Sequence, residues 1–334
     1  MSAGAAGAVR HDTVVVGAGA VGLFAALVAA RHGSVLLVAR PGVPRARIDA
    51  VPLALLGLLV EFGIHPAQLD ADDVHDARLV AWRSAEPAVV PGAATVHVDR
   101  ARLEQALALR VQAEPRIAIA SSVPAPQDPM ASRVLDATGR RAVTALARVA
   151  PPRPLVARSY LVRGRFTRAQ QAFRIACIAD GYVYRLGTRS AITVGVVRAA
   201  ADRQASRGGV PGLGAASWVL DGCPLTGLRA TGRGGVASVQ WSIGPAIGPG
   251  CTIRIGDAAL ARDALASQGL ATGFSDALRV LRGQAPDERA SWLASQRREH
   301  LGVIAHAIDD AHHRGTEFWS EYQQFVCRAR ADAA

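Results

Sequence analysis

Three glycines near the start of the chain have the spacing of a phosphate-binding turn. Gly17, Gly19 and Gly22 form the pattern G-x-G-x-x-G, between a run of valines and an apolar helical segment. The first glycine permits a tight turn, the second lets the backbone approach a pyrophosphate, and the third lets the helix pack closely on the sheet. The N–H groups at the helix start would then face the phosphates. Because a strand and a helix flank the turn, we predict a dinucleotide-binding site here.

The second strand lacks the acidic residue that usually binds the ribose hydroxyls of a dinucleotide. Ala39 stands at its end and is followed by Arg40. Arg40 is a candidate for contact with the nucleotide phosphate or for stacking on adenine. The alternative is a side chain that faces solvent. The departure weakens the expected hold on the nucleotide and leaves the predicted phosphate site in place.

Two later segments complete an ordered set of three. The sequence D-A-T-G occupies 136–139, G-D-A-A occupies 256–259, and S-Q-G follows at 267–269. In this order, behind the glycine turn, they resemble the FAD-dependent aromatic-hydroxylase superfamily. Within it, the chain is similar to the tryptophan-halogenase-like branch, which includes the flavoprotein maturases of quinone-cofactor oxidases.

Three shorter matches extend the resemblance from residue 12 to about residue 325. The sequence I-D-A-V-P at 48–52 resembles a loop that is often E-S-x-P in the family. V-D-R-A-R at 98–102 is similar to the family's helix start, and F-W at 318–319 to its late F-W pair.

The resemblance implies a role for each residue of the predicted FAD site. Asp257 would accept hydrogen bonds from the ribityl hydroxyls, with Gly256 leaving room for that chain. A helix opened by Gln268, Gly269 and Leu270 would direct its N-terminus at the flavin pyrimidine edge and stabilise negative charge there. The remaining positions implied are Asp136, Thr138 and Gly139 beside the nucleotide half, and Arg100 at the pyrophosphate or the flavin. A surface position at the start of a helix is the alternative for Arg100.

Departures from the family pattern argue against halogenation. Halogenases of this branch rely on a lysine, whereas all 38 basic residues of this chain are arginine. They also carry W-x-W-x-I-P, and the nearest similarity here, Q-W-S-I-G-P at 240–245, comes too late. Ala264 replaces the proline of the family's D-P-x-x-x-x-G, which leaves the loop over the flavin less constrained.

Composition narrows the class of protein further. The formal net charge is +11, but the arginines are scattered, which disfavours a nucleic-acid partner. The apolar stretch Thr13–Ala30 contains the glycine turn, so we expect neither a membrane span nor a signal peptide, and a cytoplasmic location follows by default. The four cysteines are widely spaced without metal-ligand patterns, as in structural thiols of a reducing compartment.

The hydrophobic pattern predicts an α/β protein with a Rossmann-like lobe and a second lobe built on an antiparallel β-sheet. The resemblance implies that the first lobe binds FAD and that the second is the substrate lobe. We expect a disordered tail at 1–10, the FAD-binding lobe at 11–150 and 251–285, the substrate lobe at 151–250, and a C-terminal helical segment at 286–334. The predicted strands of the second lobe are Ser159–Arg165, Phe173–Ala179, Gly181–Leu186 and Ala191–Arg198.

Other polar and aromatic clusters have ordinary explanations. His306, Asp309, Asp310 and His313 share one helix face, where a solvated polar surface is favoured over a metal site, so no metal is predicted. Tyr182, Tyr184, Trp218 and Trp241 are candidates for lining a substrate cavity or for packing between sheet and loops. His65, His75 and His97 are possible acid–base groups, and the sequence does not rank them, so no catalytic residue is predicted.

The ordered set of three segments, and the resemblance that it carries, imply an FAD-dependent monooxygenase. It would hydroxylate an electron-rich ring, an indole or a phenol, free or carried on a peptide or carrier protein. NAD(P)H as a transient reductant, or a flavin reductase as a partner, would supply the electrons. Two alternatives stay open: an FAD-dependent dehydrogenase or reductase, and a degenerate flavoprotein that serves as a maturation or assembly factor.

Overall fold

The computed structural model describes most of the chain. The described ranges are 10–40, 47–71, 73–122, 131–144, 148–149, 155–199, 214–221, 229–230, 237–238, 241–242, 247–248, 252–262 and 269–331. The predicted tail, apart from Arg10, lies outside them, as do Ala264 and Gln268.

Strands and helices alternate in the first part of the chain, and helices end it. The strands are β1 (His11–Val16), β2 (Val35–Val38), β3 (Ile48–Pro52), β4 (Val74–Ala81), β5 (Ala88–Asp99), β6 (Ile117–Ala120), β7 (Ala131–Asp136), β8 (Arg148–Val149), β9 (Leu155–Arg163), β10 (Arg174–Ile178), β11 (Gly181–Gly187), β12 (Ala191–Ala199), β13 (Arg229–Ala230), β14 (Ala237–Ser238), β15 (Trp241–Ser242), β16 (Ile247–Gly248) and β17 (Thr252–Arg254). The helices are α1 (Ala20–Ala30), α2 (Leu53–Glu61), α3 (Arg100–Ala113), α4 (Arg168–Gln171), α5 (Gly269–Leu281), α6 (Pro286–Asp310) and α7 (Glu317–Ala331).

The first sheet has the order β16-β17-β7-β1-β2-β6 and is parallel except for β16. In its centre, Val14 lies opposite Leu36 on one side and Val134 on the other. Helices α1, α3 and α5 contribute to the main core, where the ring of Phe24 stacks on that of Phe274 at 4.3 Å. Burial of these central strands explains their near-continuous valine and leucine runs.

The second sheet has the order β13-β9-β12-β11-β10-β4-β5-β3, with β14 also paired to β9. Its neighbours are antiparallel except for β10 and β4. Residues from α6 and α7 pack on one face, where the Trp319 ring meets that of Trp82 at 5.7 Å. Val219 belongs to the apolar cluster on the other face. The predicted fold class, α/β with a Rossmann-like lobe and a largely antiparallel second sheet, is confirmed.

Strands β3, β4 and β5 join the second sheet, although they come from the range that we assigned to the FAD-binding lobe. The sequence pattern did not indicate β4 and β5, because much of this hairpin is exposed and has no buried alternation; Val89, for example, is 68% exposed. Helices α6 and α7 both lie within the C-terminal segment, 286–334, that we predicted to be helical. The division at residues 150 and 250 stays a prediction about domains. Within the described ranges, no helix is both long and apolar enough to cross a membrane.

Candidate functional site

The three predicted segments meet at one end of the parallel sheet. Ala137 N donates to Val16 O (2.8 Å), which joins the D-A-T-G segment to the end of β1. Ile255 N donates to Asp136 O (2.9 Å), which joins the G-D-A-A segment to the end of β7. Parallel strands place their carboxyl ends at the same edge, where ligands of open α/β sheets bind. The topology therefore collects residues that lie far apart in the sequence.

Each glycine of the first turn has a distinct steric role. Gly17 has φ +110°, and a Cβ there would lie 2.6 Å from Ala137 O. A Cβ on Gly22 would collide with Gly17 O, so this glycine permits the close packing of α1 on the turn. Gly19 precedes α1, and no atom of the described residues lies within 4 Å of its Cβ position. Protein atoms therefore fill the space beside Gly17 and Gly22, whereas the space beside Gly19 is left for a bound phosphate.

The G-D-A-A segment forms a second tight turn beside the first. Gly256 has φ +60°, and its Cβ position lies 3.1 Å from a methyl carbon of Val21 in α1. The Cβ position of Gly269, the first residue of α5, lies 3.5 Å from Asp257 Oδ1. The Asp257 side chain is 35% exposed, and its Oδ2 lies 3.6 Å from Arg140 Nε. The predicted residues Gly256, Asp257 and Gly269 thus lie close together. Leu270, the second residue of α5, is buried.

A buried ion pair that the sequence analysis missed supports this turn. Asp276 Oδ2 accepts a hydrogen bond from Gly256 N (3.1 Å). Arg289 binds both oxygens of the same carboxylate and also donates to Arg254 O. Helices α5 and α6 therefore hold the G-D-A-A turn through its backbone. Asp276 belongs to an apolar helix and Arg289 to a charged one, so no local pattern indicates the pair.

Asp136 has a structural function in its own turn. Its side chain is fully buried. One carboxylate oxygen accepts from Thr138 N (2.9 Å) and Thr138 Oγ1 (2.6 Å), and the other accepts from Thr144 N (3.1 Å) and Thr144 Oγ1 (2.6 Å). Gly139 has φ +64°, and in the part of the chain that the structure describes no atom lies within 4 Å of its Cβ position. The carboxylate shapes the turn, and Gly139 leaves the space in front of it open.

Arg100 lies in a chain of alternating charges. Its Nε is 2.8 Å from Glu104 Oε1, and its Nη1 is 3.1 Å from Asp49 Oδ2. Asp49 also binds Arg47 Nε at 2.9 Å. Glu104 Oε1 accepts in addition from Ala20 N (3.3 Å), the first residue of α1. Arg100 is therefore connected to the glycine turn through Glu104 rather than facing bulk solvent.

Arg40 shows no comparable environment. Ala39 N donates to Ala120 O (2.8 Å), which ends β2 against β6, and Arg40 beyond it is exposed. Its predicted contact with a nucleotide stays a prediction. Gln268 and the loop that contains Ala264 lie outside the described residues.

Two of the aromatic candidates pack within the fold, and a third, Tyr184, lies near Arg47 and Arg140. Tyr182 is fully buried in the cluster of Trp82 and Trp319, so its role is packing. Trp218 packs against the other face of the sheet. The Tyr184 ring occupies the space that a Cβ on Gly195 would need. Burial raises the pKa of Tyr184, whereas the nearby Arg47 acts in the opposite direction. Trp241 begins β15, and nothing is described of its side chain.

The histidine candidates lie in two other places. His75 and His97 stack with ring centroids 4.1 Å apart, and His97 Nδ1 is 2.8 Å from Gly187 O. Burial, with His75 as the next cause, lowers the pKa of His97 to about 3. His65 is exposed at a helical turn. Neither the pair nor His65 belongs to the three-segment site.

His306, Asp309 and Asp310 lie on α6, but His313 follows the end of this helix, so the predicted four-residue face is wrong at His313. The polar side chains of α6 are used for contacts within the fold. Asp310 Oδ2 lies 2.7 Å from Arg83 Nη2 and 3.3 Å from His306 Nε2. Asp309 accepts from Gln323 (2.7 Å). Among the residues that the structure describes, no three His, Cys, Asp or Glu side chains are grouped to hold a metal ion.

The architecture matches solved flavoprotein structures. No protein-family model and no curated protein matches the chain. The peptidyl tryptophan dihydroxylase QhpG, essential for tryptophylquinone cofactor biogenesis, superimposes with a TM-score of 0.67 and 20% identity over 94% of this chain and 79% of that one. A flavin-dependent halogenase from Xanthomonas campestris gives 0.73 and 13% over 94% and 80%. The flavin-dependent brominase Bmp2 gives 0.68 and 15% over 97% and 92%. At these identities the comparison establishes the shared fold, which is the fold that the resemblance implied.

Proposed function

We propose that the chain binds FAD and is a flavin-dependent oxidoreductase of the monooxygenase type. The observation that supports this most is the meeting of the glycine turn, the D-A-T-G segment and the G-D-A-A segment at one sheet edge. Hydrogen bonds of 2.8 and 2.9 Å connect them in that order. A dinucleotide needs this arrangement because its phosphates and its sugar chains contact different segments at the same time.

The described residues fit an FAD molecule. Among the described residues, the space at the Cβ positions of Gly19 and Gly139 is open, which leaves room for the diphosphate and the nucleotide half. Asp257 is partly exposed beside the start of α5 and would accept hydrogen bonds from the ribityl hydroxyls. The N-terminus of α5 offers positive potential to the pyrimidine edge. When bound and reduced, FAD supplies the activation of oxygen, and the protein supplies position and charge.

The proposed substrate is an electron-rich aromatic ring, an indole or a phenol, presented on a peptide or carrier protein or free. QhpG is a peptidyl tryptophan dihydroxylase, and its superposition covers 94% of this chain. The absence of lysine from the sequence favours hydroxylation over halogenation. The proposed source of electrons is NAD(P)H or the reduced flavin made by a flavin reductase. The proposed location of the protein is the cytoplasm.

The first test is an absorption spectrum of the purified protein with added FAD, before and after reduction and exposure to air. We expect flavin bands that bleach on reduction and return with oxygen. Tryptophan, phenols and tryptophan-containing peptides are then supplied during turnover. A product that gains one oxygen atom per ring supports the proposal, and a halogenated product in the presence of bromide contradicts it.

The alternatives give different results in the same assay. A dehydrogenase or reductase would turn over anaerobically with an artificial electron acceptor or donor and would incorporate no oxygen. Protein that takes up no FAD would instead favour the maturation or assembly factor. Ala39 motivates that alternative, because no carboxylate is available there for the ribose.

A further inference from the structure

The carboxylate of Glu104 lies at the start of helix α1, beside the proposed phosphate site. Its Oε1 accepts a hydrogen bond from Ala20 N at 3.3 Å. Ala20 is the first helical residue, and Gly19 before it has no side chain to cap the helix. Leu23 N donates to Gly19 O (2.9 Å), so it is the N–H groups before Leu23 that lack helical acceptors. The chain's own acid thus uses one of the donors that a diphosphate would approach.

The same carboxylate oxygen also binds Arg100. The Arg100 Nε–Glu104 Oε1 distance is 2.8 Å, and the second carboxylate on Arg100, Asp49, lies at 3.1 Å. The side chains of Arg100, Glu104 and Asp49 are only 14%, 15% and 19% exposed. With Arg47, the group contains two acids and two bases, so their formal charges cancel. Arg100 is the cation expected at the pyrophosphate, yet two acids neutralise its charge.

We propose that Glu104 is a positioning residue that sets the affinity for the diphosphate of FAD. It fixes the guanidinium of Arg100 beside the start of α1, and its negative charge weakens the attraction of that site for an anion. Charges that are mostly shielded from water interact strongly enough for one carboxylate to change anion affinity by about tenfold. This inference rests on the proposed function, because it takes the phosphate site at Gly17–Gly22 as given.

The variant Glu104→Gln separates the two parts of the role. Glutamine keeps an oxygen that can accept from Ala20 N and Arg100 Nε, and it removes the negative charge. We expect E104Q to bind FAD about tenfold more tightly than the wild type, measured by quenching of flavin fluorescence. E104Q should also bind inorganic pyrophosphate more tightly than the wild type, as measured by calorimetry without any flavin. Glu86→Gln is the matched control, because Glu86 is exposed and the substitution changes the net charge of the protein by the same amount as E104Q.

The outcomes distinguish the inference from the proposed function. Wild-type protein that binds neither FAD nor pyrophosphate contradicts the proposed function itself. Wild-type protein that binds FAD, with E104Q binding equally or more weakly, overturns the inference. If E104Q fails to fold, Asp49→Asn removes the other acid from Arg100 and should also tighten binding, and unchanged affinity there overturns the inference as well. Tightening by E86Q to the same extent would show a nonspecific effect of net charge and would also overturn it.

Discussion

Arg289 binds the carboxylate of Asp276 through two hydrogen bonds, Nε to Oδ1 at 2.8 Å and Nη2 to Oδ2 at 3.0 Å. Both side chains are buried, with 5% and 1% of their surface exposed. The pair connects α6 to α5, and through Gly256 N and Arg254 O it also holds the turn that precedes Asp257. Planar, bidentate pairing of this kind combines strength with directional specificity.

Replacing Arg289 should destabilise the fold through the charge that it leaves behind. In Arg289→Met the volume is largely kept, but Asp276 becomes a buried carboxylate without its cation. We expect a loss of about 3 kcal/mol in the free energy of unfolding, measured by urea denaturation. The control is Arg282→Met at an exposed position after α5, where a change within about 0.5 kcal/mol is expected. Equal stabilities for R289M and R282M would contradict this account of the pair.

Two glycines of the first turn, Gly19 and Gly22, should respond differently to alanine. Gly22→Ala places a methyl group against Gly17 O, so we expect a loss of at least about 2 kcal/mol in the free energy of unfolding. Among the described residues, Gly19→Ala meets no atom within 4 Å, and the variant should stay folded. It fills the space proposed for the diphosphate, so FAD affinity should fall by about tenfold or more. Thermal denaturation and FAD titration of both variants test this, and a G19A protein that binds FAD normally would argue against the phosphate site.

The glycine turn and the two segments that meet it could be predicted because their signals are local. Val14 and its neighbours form a buried strand, and the glycines after it have a spacing with direct steric meaning. The contact of Glu104 with Ala20 could not be predicted in this way, since 84 positions separate them and only the packing of α3 on α1 brings them together. Even within a recognised motif, the partners of a side chain were not predictable. The sequence indicated Asp136 as a site residue, but its carboxylate accepts hydrogen bonds from Thr138 and Thr144 in its own turn.

Asp257 should affect cofactor binding more than stability. Its side chain is 35% exposed and lies 3.6 Å from Arg140, an ion-pair geometry that contributes little in water. We expect Asp257→Ala to keep its melting temperature within a few degrees and to bind FAD about tenfold more weakly, because hydrogen bonds to the ribityl hydroxyls are lost. Glu86→Ala is the control. An unchanged FAD dissociation constant for D257A would exclude the proposed contact.

His97 should make the stability of the protein depend on acidity. Burial, followed by the influence of His75, lowers the pKa of His97 from 6.5 to about 3, so the folded state binds a proton less readily than the unfolded state. The contribution of this neutral histidine is therefore fully present above pH 6.5 and is lost progressively as the pH falls from 6.5 towards 3.

The slope for one proton is about 1.4 kcal/mol per pH unit, which amounts to about 2 kcal/mol between pH 6.5 and pH 5. Several charged groups surround the pair: Asp73, Asp76 and Arg168 act on His75, and Arg78 acts on His97. The test is therefore a difference between variants. In His97→Gln, an amide replaces the ring at Gly187 O. The free energy of unfolding, measured with urea from pH 7.5 to pH 5, should depend on pH less steeply than in the wild type, by the equivalent of about one proton. The exposed His32→Gln should keep the wild-type slope, and identical slopes for H97Q and wild type would show that His97 does not remain neutral in the folded protein.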